Sequence, residues 1–173
     1  MKRIWIIAQA LVLLAGLSDA RAEIVFIGWG APPELRVQVG APTGITTVVH
    51  DVPAATVGDA TPIAGTPNSV LIDAYARMPN FIRAWFTQFT ISVDSSVPLS
   101  NGSHTIPFTD ISWTAQQGDI PSGSFQGVPG QVILGPTSAF YRVRDWHTFY
   151  YNNTRIVPSG VYTGRVTYTI AIP

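Results

Sequence analysis

The chain has 173 residues, with 10 basic and 10 acidic side chains, 46% hydrophobic residues and no cysteine. Its length fits one domain, its neutral charge gives no field that would hold nucleic acid or an anionic membrane, and its hydrophobic content excludes a disordered chain. The lack of cysteine excludes a disulfide framework, a thiolate metal site and a thiol nucleophile.

The first 22 residues have the features of a secretory signal peptide. A basic start is followed by an apolar run from Ile4 to Leu17 and by a small-x-small cleavage site at Ala20 and Ala22. The apolar run is shorter than the roughly 20 residues that span a bilayer, so we expect cleavage and no stable membrane insertion. We therefore predict a protein that is exported through the periplasm to the cell surface or medium, with one mature domain over residues 23–173.

The mature chain alternates apolar and polar residues with a period of two, and Gly or Pro interrupts most windows of helical length. No βαβ alternation is present, so a parallel sheet is not expected. Two polar segments rich in Gly and Pro, 51–68 and 116–130, are predicted as long loops, and Asn101-Gly102 predicts a hairpin turn. The predicted strand segments are 23–29, 35–39, 45–49, 69–77, 84–94, 105–113, 132–134, 140–151 and 161–172.

The clearest predicted strand runs from Ala84 to Asp94, with one apolar face and one polar face. Alternation of this kind is typical of an antiparallel sheet that has a core on one side and water on the other. We therefore predict an all-β fold, an antiparallel immunoglobulin-like β-sandwich. The residues predicted as core are Trp85, Phe89, Ile91, Val93, Val166, Tyr168 and Ile170. The residues predicted as exposed are Gln88, Thr90, Thr167 and Thr169.

The sequence offers little catalytic chemistry. Three histidines belong to different segments and lack metal-ligand spacing: His50, His104 and His147. Three aspartates would form a paired-carboxylate site only if folding brought them together: Asp94, Asp110 and Asp119. Surface turn carboxylates and structural histidines are the commoner case. We predict no enzyme activity, no catalytic residue, no metal and no cofactor.

A segment rich in aromatic and arginine residues, 140–151, is a candidate ligand face. Alternation places one set of side chains on the same side of a strand: Arg142, Arg144, Trp146, Thr148 and Tyr150. Such a face would stack on sugar rings or dock a protein partner. The competing interpretation places Tyr141, Val143, Phe149 and Tyr151 in the core, while the arginine stems cover apolar surface.

The last predicted strand has the cleanest alternation in the chain. One face carries Tyr162, Val166, Tyr168, Ile170 and Ile172. Gly160, just before the strand, and Gly164, within it, belong to the same alternating set. The other face carries Thr163, Arg165, Thr167 and Thr169. Alternation that continues to the final residues predicts a terminus held in a sheet.

This pattern resembles the last strand of bacterial chaperone–usher pilus subunits and of spore coat protein U-like domains. In that family the strand pairs first with a periplasmic chaperone, and later borders a groove that the next subunit's N-terminal strand fills. Gly160 is fourteenth from the end, where many such subunits have Gly, whereas Ile172 stands where the family often has an aromatic residue.

The resemblance implies a donor strand and a hinge within residues 23–33. Two alternating sets could serve as the donor residues: Ile24, Phe26 and Gly28, or Val25, Ile27 and Trp29. The functional hypothesis is then a structural or adhesive subunit of a pilus-like surface fibre, with other subunits and a periplasmic chaperone as partners. The alternative is a self-complete secreted sandwich that binds carbohydrate or a protein through its aromatic face.

Overall fold

The structure is a computed structural model that describes residues 34–42, 46–79, 81–139 and 141–172. The predicted signal peptide and the predicted donor segment lie outside this range. The strands are β1 (Glu34–Val39), β2 (Ile63–Ala64), β3 (Val70–Arg77), β4 (Gln88–Asp94), β5 (Leu99–Ser100), β6 (Thr105–Ile106), β7 (Ile111–Ala115), β8 (Gly123–Ser124), β9 (Gln131–Ser138), β10 (Val143–Tyr151) and β11 (Thr167–Ala171). The helices are α1 (Phe81–Phe86) and a 3₁₀ turn (Phe108–Asp110).

Two antiparallel sheets form the body of the protein. The large sheet has the order β1-β3-β10-β7-β8, with β2 paired to the end of β10, and the small sheet has the order β11-β4-β9. The hairpin β5-β6 stands apart from both sheets. Every strand pair described is antiparallel, so the predicted all-β antiparallel sandwich is confirmed.

The core lies between the inner faces of the two sheets. The large sheet contributes alternate residues of β3 and β10, and the small sheet contributes alternate residues of β4. This alternation is expected because successive side chains of a strand point to opposite faces. The most deeply buried apolar side chains of this core are Val70, Ile72, Ala74, Phe89, Ile91, Val93 and Ile120.

The strand predicted over 84–94 is wrong in its first part. Residues Phe81–Phe86 form α1, and β4 begins only at Gln88. Trp85 was predicted to be core but is 54% exposed, whereas Ala84 is buried. The three consecutive apolar residues 84–86 do not alternate, and a helical turn of 3.6 residues directs only one of them inward.

The remaining predictions of core and surface are mostly confirmed. Phe89, Ile91, Val93 and Ile170 are buried, and Val166 and Tyr168 are partly buried against the core. Gln88, Thr167 and Thr169 are exposed, while Thr90 is only partly so.

Other segments also differ from the predicted strand boundaries, and 105–113 is divided into β6, a 3₁₀ turn and the start of β7. In the segment 45–49, Val49 forms a single bridge to Thr66, and Ile45 lies outside the described residues. Residue Tyr141 was placed in the core by one interpretation of its segment, but it precedes β10 and is 56% exposed. The predicted loops 51–68 and 116–130 each contain a two-residue strand, β2 and β8.

The predicted Asn-Gly hairpin is confirmed between β5 and β6. The side-chain carbonyl of Asn101 accepts hydrogen bonds from the backbone N–H groups of Ser103 and His104, at 3.0 and 2.8 Å. Gly102 has a φ of +93°, a conformation that favours glycine. Local hydrogen bonding therefore stabilises this turn.

Candidate functional site

The last strand, β11, forms an edge of the small sheet. It pairs along its whole length with β4, from Thr167 opposite Asp94 to Ala171 opposite Thr90. Its inward residue Ile170 is buried in the core, and burial raises the pKa of the partly buried Tyr168 phenol well above its usual range. This edge strand is therefore held firmly on one side, by main-chain pairing and by apolar packing.

The other side of β11 is unpaired within the described part of the chain. The nearest strand there is β1, which is the edge of the large sheet and runs close to β11 without pairing to it. The predicted donor segment 23–33 directly precedes β1 in the sequence. The edges of β1 and β11 therefore lie on the same side of the sandwich. Glu34, which begins the first described strand, lies on that side as well.

The regular strand is shorter than the sequence predicts. Of the seven residues predicted to form the assembly strand, Gly160, Tyr162, Gly164 and Val166 precede β11, and Ile172 follows it at 38% exposure. Thr163 instead bridges to Ser100 of β5, with backbone hydrogen bonds of 2.8 and 3.0 Å.

Close packing against β5 favours a glycine at this approach. A Cβ atom at Gly164 would lie 3.1 Å from the Leu99 Cα atom. The segment before β11 therefore crosses over the β5-β6 hairpin, and it does not extend the small sheet.

The residues of the candidate ligand face lie on or just before β10, on the outer surface of the large sheet. Arg144 is exposed, and Trp146 and Tyr150 are half-buried along β10. Arg142, just before β10, forms a two-pronged ion pair with Asp73 of β3. The hydrogen bond from Arg142 holds the pKa of the Asp73 carboxyl below its usual range.

This outer surface also carries residues that the sequence analysis did not single out. The guanidinium of Arg142 lies 5.8 Å from the centre of the Tyr75 ring, and the Tyr75 hydroxyl donates to Glu34 at 3.1 Å. Arg36 stands directly opposite Tyr75 across the β1-β3 pair. These residues belong to neighbouring strands that are distant in sequence, so only the pairing register would have found them.

Two open cavities lie at opposite ends of this surface. The first has a volume of about 420 Å³, and its polar and aromatic lining consists of Arg36, Tyr75, Arg77, Tyr141 and Arg142. The second has a volume of about 460 Å³, and its lining includes Gln38, Thr46, Ser69, Leu71 and Trp146. Both volumes are within the range of roughly 300–1,000 Å³ that small-molecule sites occupy.

The buried polar residues of the sandwich have structural roles. Asp145 is fully buried and accepts hydrogen bonds from the backbone N–H groups of Gln117 and Ile120, at 2.9 and 3.1 Å. Burial disfavours the charged form of Asp145, but the hydrogen bonds that its carboxylate accepts from backbone N–H groups outweigh the effect of burial. Its pKa is therefore lowered. One carboxylate thus ties the loop after β7 to β10.

The histidines and aspartates considered at the sequence level serve separate parts of the fold. His147 is fully buried and stacks on Trp113, with 6.0 Å between ring centres, and His50 contacts the Ile63 carbonyl at 2.9 Å. The three aspartates have unrelated partners: Ser96 for Asp94, Arg155 for Asp110 and the Arg144 backbone for Asp119. Over the ranges that the structure describes, no group of three or more His, Asp or Glu residues could hold a metal ion.

Comparisons of the chain with protein-family models, curated proteins and solved structures give no match. Within the described residues, no helix is long and apolar enough to cross a bilayer. Functional inference for this chain therefore depends on the geometry of its strand edge and of its outer face.

Proposed function

We propose that this protein is an exported structural or adhesive subunit that assembles into a pilus-like fibre by β-strand addition. The observation that carries the proposal is the unpaired edge of β11, which no described strand covers and which lies beside the equally open edge of β1. An uncovered edge is a template for pairing with another chain, so a strand added at β11 would find unpaired N–H and C=O groups there.

Strand addition at this edge would involve both main-chain hydrogen bonds and side-chain packing. The free N–H and C=O groups of β11 would form a ladder with the incoming strand, which supplies affinity, and apolar side chains entering between the sheets would set the register. We propose that a periplasmic chaperone supplies this strand first and that residues 23–33 of a neighbouring subunit replace it. Ile24, Phe26 and Gly28 are the proposed inward residues of that donor.

Two charge substitutions test the acceptor strand β11 and the donor segment separately. Ile170→Asp places a carboxylate at a buried position of β11, and Phe26→Asp places one in the donor segment, so each variant alone should fail to polymerise. The matched control is Thr169→Asp, because Thr169 is exposed on the same strand. Size-exclusion chromatography of the exported proteins measures the result.

Mixing wild-type protein with the Phe26→Asp variant makes the test independent of misfolding. A subunit that accepts a strand but cannot donate one should cap growing fibres and shorten them. Full-length polymers from the Phe26→Asp variant on its own would contradict strand addition through residues 23–33.

A second candidate function is ligand binding through the outer surface of the large sheet. It is favoured by the shared placement of Arg142, Arg144, Trp146 and Tyr150 and by the two cavities at the ends of that surface. Because this surface belongs to the large sheet, strand addition at β11 would leave it open. The two candidate functions are therefore compatible in one molecule.

A further inference from the structure

We infer that the outer surface of the large sheet binds an acidic polysaccharide, with carboxylate-bearing sugars held by arginines in the first cavity. This inference rests on the second candidate function and names its ligand class. It does not depend on strand addition, because none of the residues involved belongs to β11.

The distribution of charge favours an anionic ligand. Only seven arginines follow residue 22, and together with nine carboxylates they leave this part of the chain with a net charge of −2. Four of the seven lie on or beside this one surface: Arg36, Arg77, Arg142 and Arg144. The carboxylates on or beside the same surface are Glu34, Asp73 and Asp119, so four arginines face three carboxylates there, while residues 23–173 are net negative.

Two of these arginines form no salt bridge in the described part of the chain, although Glu34 stands opposite Arg77 across the β1-β3 pair. Arg142 is engaged by Asp73, but Arg36 contacts the neutral side chain of Gln38 at 2.8 Å, and no salt bridge to Arg77 is formed. Both line the first cavity. A guanidinium that faces an open cavity offers paired N–H donors whose geometry matches a carboxylate.

Aromatic rings supply the complementary contacts that sugars need. Tyr75 lines the first cavity and Trp146 lines the second, and both are half-buried, which fixes their rings while leaving part of each accessible. Such rings stack on the apolar faces of sugars. The ring of Tyr75 is held on two sides, by the Arg142 guanidinium and by the hydrogen bond to Glu34.

The separation of the two cavities favours a polymer over a single sugar. Leu71 at the second cavity and Arg77 at the first are six residues apart on β3, which corresponds to about 20 Å along a strand. Between the two cavities, Asp73 of β3 stands opposite Arg144 of β10 in the strand register. On its other side, Asp73 stands opposite Gln38 of β1. The path from one cavity to the other is therefore polar, and it is long enough for several linked sugars.

The test is a calorimetric titration of the exported protein with a galacturonate hexamer, with a galactose hexamer as the neutral comparison. The acidic hexamer should bind, the neutral one should bind at least about tenfold more weakly, and added salt should weaken only the former. Arg36→Gln and Arg77→Gln should each weaken binding by about tenfold, the loss expected for a charge-assisted hydrogen bond. The matched control is Arg165→Gln, an exposed arginine outside this surface.

Each contrary outcome overturns a different part of the inference. Equal binding of the neutral hexamer would refute the acidic class but keep carbohydrate binding. Binding of neither hexamer would refute the acidic polysaccharide as the ligand, while the second candidate function would fail only if a protein partner did not bind either. Displacement of the acidic hexamer by an equal concentration of inorganic phosphate would identify a simple oxyanion site and refute the saccharide. Unchanged binding in both arginine variants would place the ligand elsewhere on the protein.

Discussion

At the scale of single residues, the interior of the sandwich contains polar atoms that the fold does not fully satisfy. Asp145 is compensated by several backbone N–H groups, whereas the Tyr151 hydroxyl is buried without a hydrogen-bond partner among the described residues. A buried polar group without a partner costs about 1–3 kcal/mol. Small substitutions at these positions should therefore change the free energy of unfolding measurably.

Replacing Tyr151 with Phe should stabilise the protein. The change removes a buried hydroxyl that lacks a partner and keeps the ring that packs in the core, so we expect the free energy of unfolding to rise by about 1 kcal/mol. Urea denaturation measures this. The control is Tyr162→Phe, which loses a 3.0 Å hydrogen bond to the Pro158 carbonyl and should be neutral or slightly destabilising. A clear loss of stability in Tyr151→Phe would mean that this hydroxyl is paired.

Stability should fall as the pH drops below the ordinary histidine pKa of about 6.5. Burial lowers the pKa of His147 more than the nearby Asp145 charge raises it, and burial also lowers the pKa of His50. As the pH falls, the unfolded chain therefore takes up protons before the folded protein does. The contribution of these histidines to the free energy of unfolding is complete above about pH 6.5 and is lost as the pH falls toward their lowered pKa values.

Chemical denaturation of the His147→Phe variant between about pH 7 and 5 isolates one of these groups. The dependence of the unfolding free energy on pH should become shallower, with a remainder due to His50. An unaltered slope in His147→Phe would exclude this histidine as the source.

At the scale of secondary structure, alternation predicted most strands, but it failed at residues 161–166, which alternate and yet precede β11. Apolar runs were a poorer guide. The segments 35–39 and 70–77 alternate and are strands, as predicted. Residues Ala84 to Phe86 are three apolar residues in a row, a pattern that fits a helix as well as a strand, and the structure resolves it as the end of α1. The boundary between α1 and β4 depends on tertiary contacts that alternation does not encode.

The strand β4 should be the element on which the sandwich depends most. It lies at the centre of the small sheet, between β11 and β9, and its residue Ile91 is fully buried. Replacing Ile91 with Ala should lower the free energy of unfolding by about 2–5 kcal/mol, through lost contacts and a cavity. The control is Val132→Ala in β9, which is 60% exposed and should cost less than about 0.5 kcal/mol. Equal effects of the two substitutions in urea denaturation would contradict the proposed core.

At the scale of the whole molecule, the sequence predicted the fold class and one of the two candidate surfaces in part. Alternation along 140–151 brought Arg142, Arg144, Trp146 and Tyr150 onto one face, as the structure also has them. It could not find Arg36, Tyr75 and Arg77, because their neighbourhood is created by the register of β1, β3 and β10. Nor does alternation determine which strand becomes an edge, and the proposed function depends on that edge.

The central claim is that β11 needs a strand from another chain. The most direct measurement is urea unfolding, combined with size-exclusion chromatography, of the exported protein from which residues 23–33 have been deleted, with and without a synthetic peptide of that segment. We expect that the deleted protein does not form a stable monomer alone, and that the peptide restores a cooperative unfolding transition. A peptide with Asp in place of Phe26 should not restore it. A deleted protein that folds by itself into a stable monomer would show that the edge is closed within the chain, and would contradict assembly by strand addition.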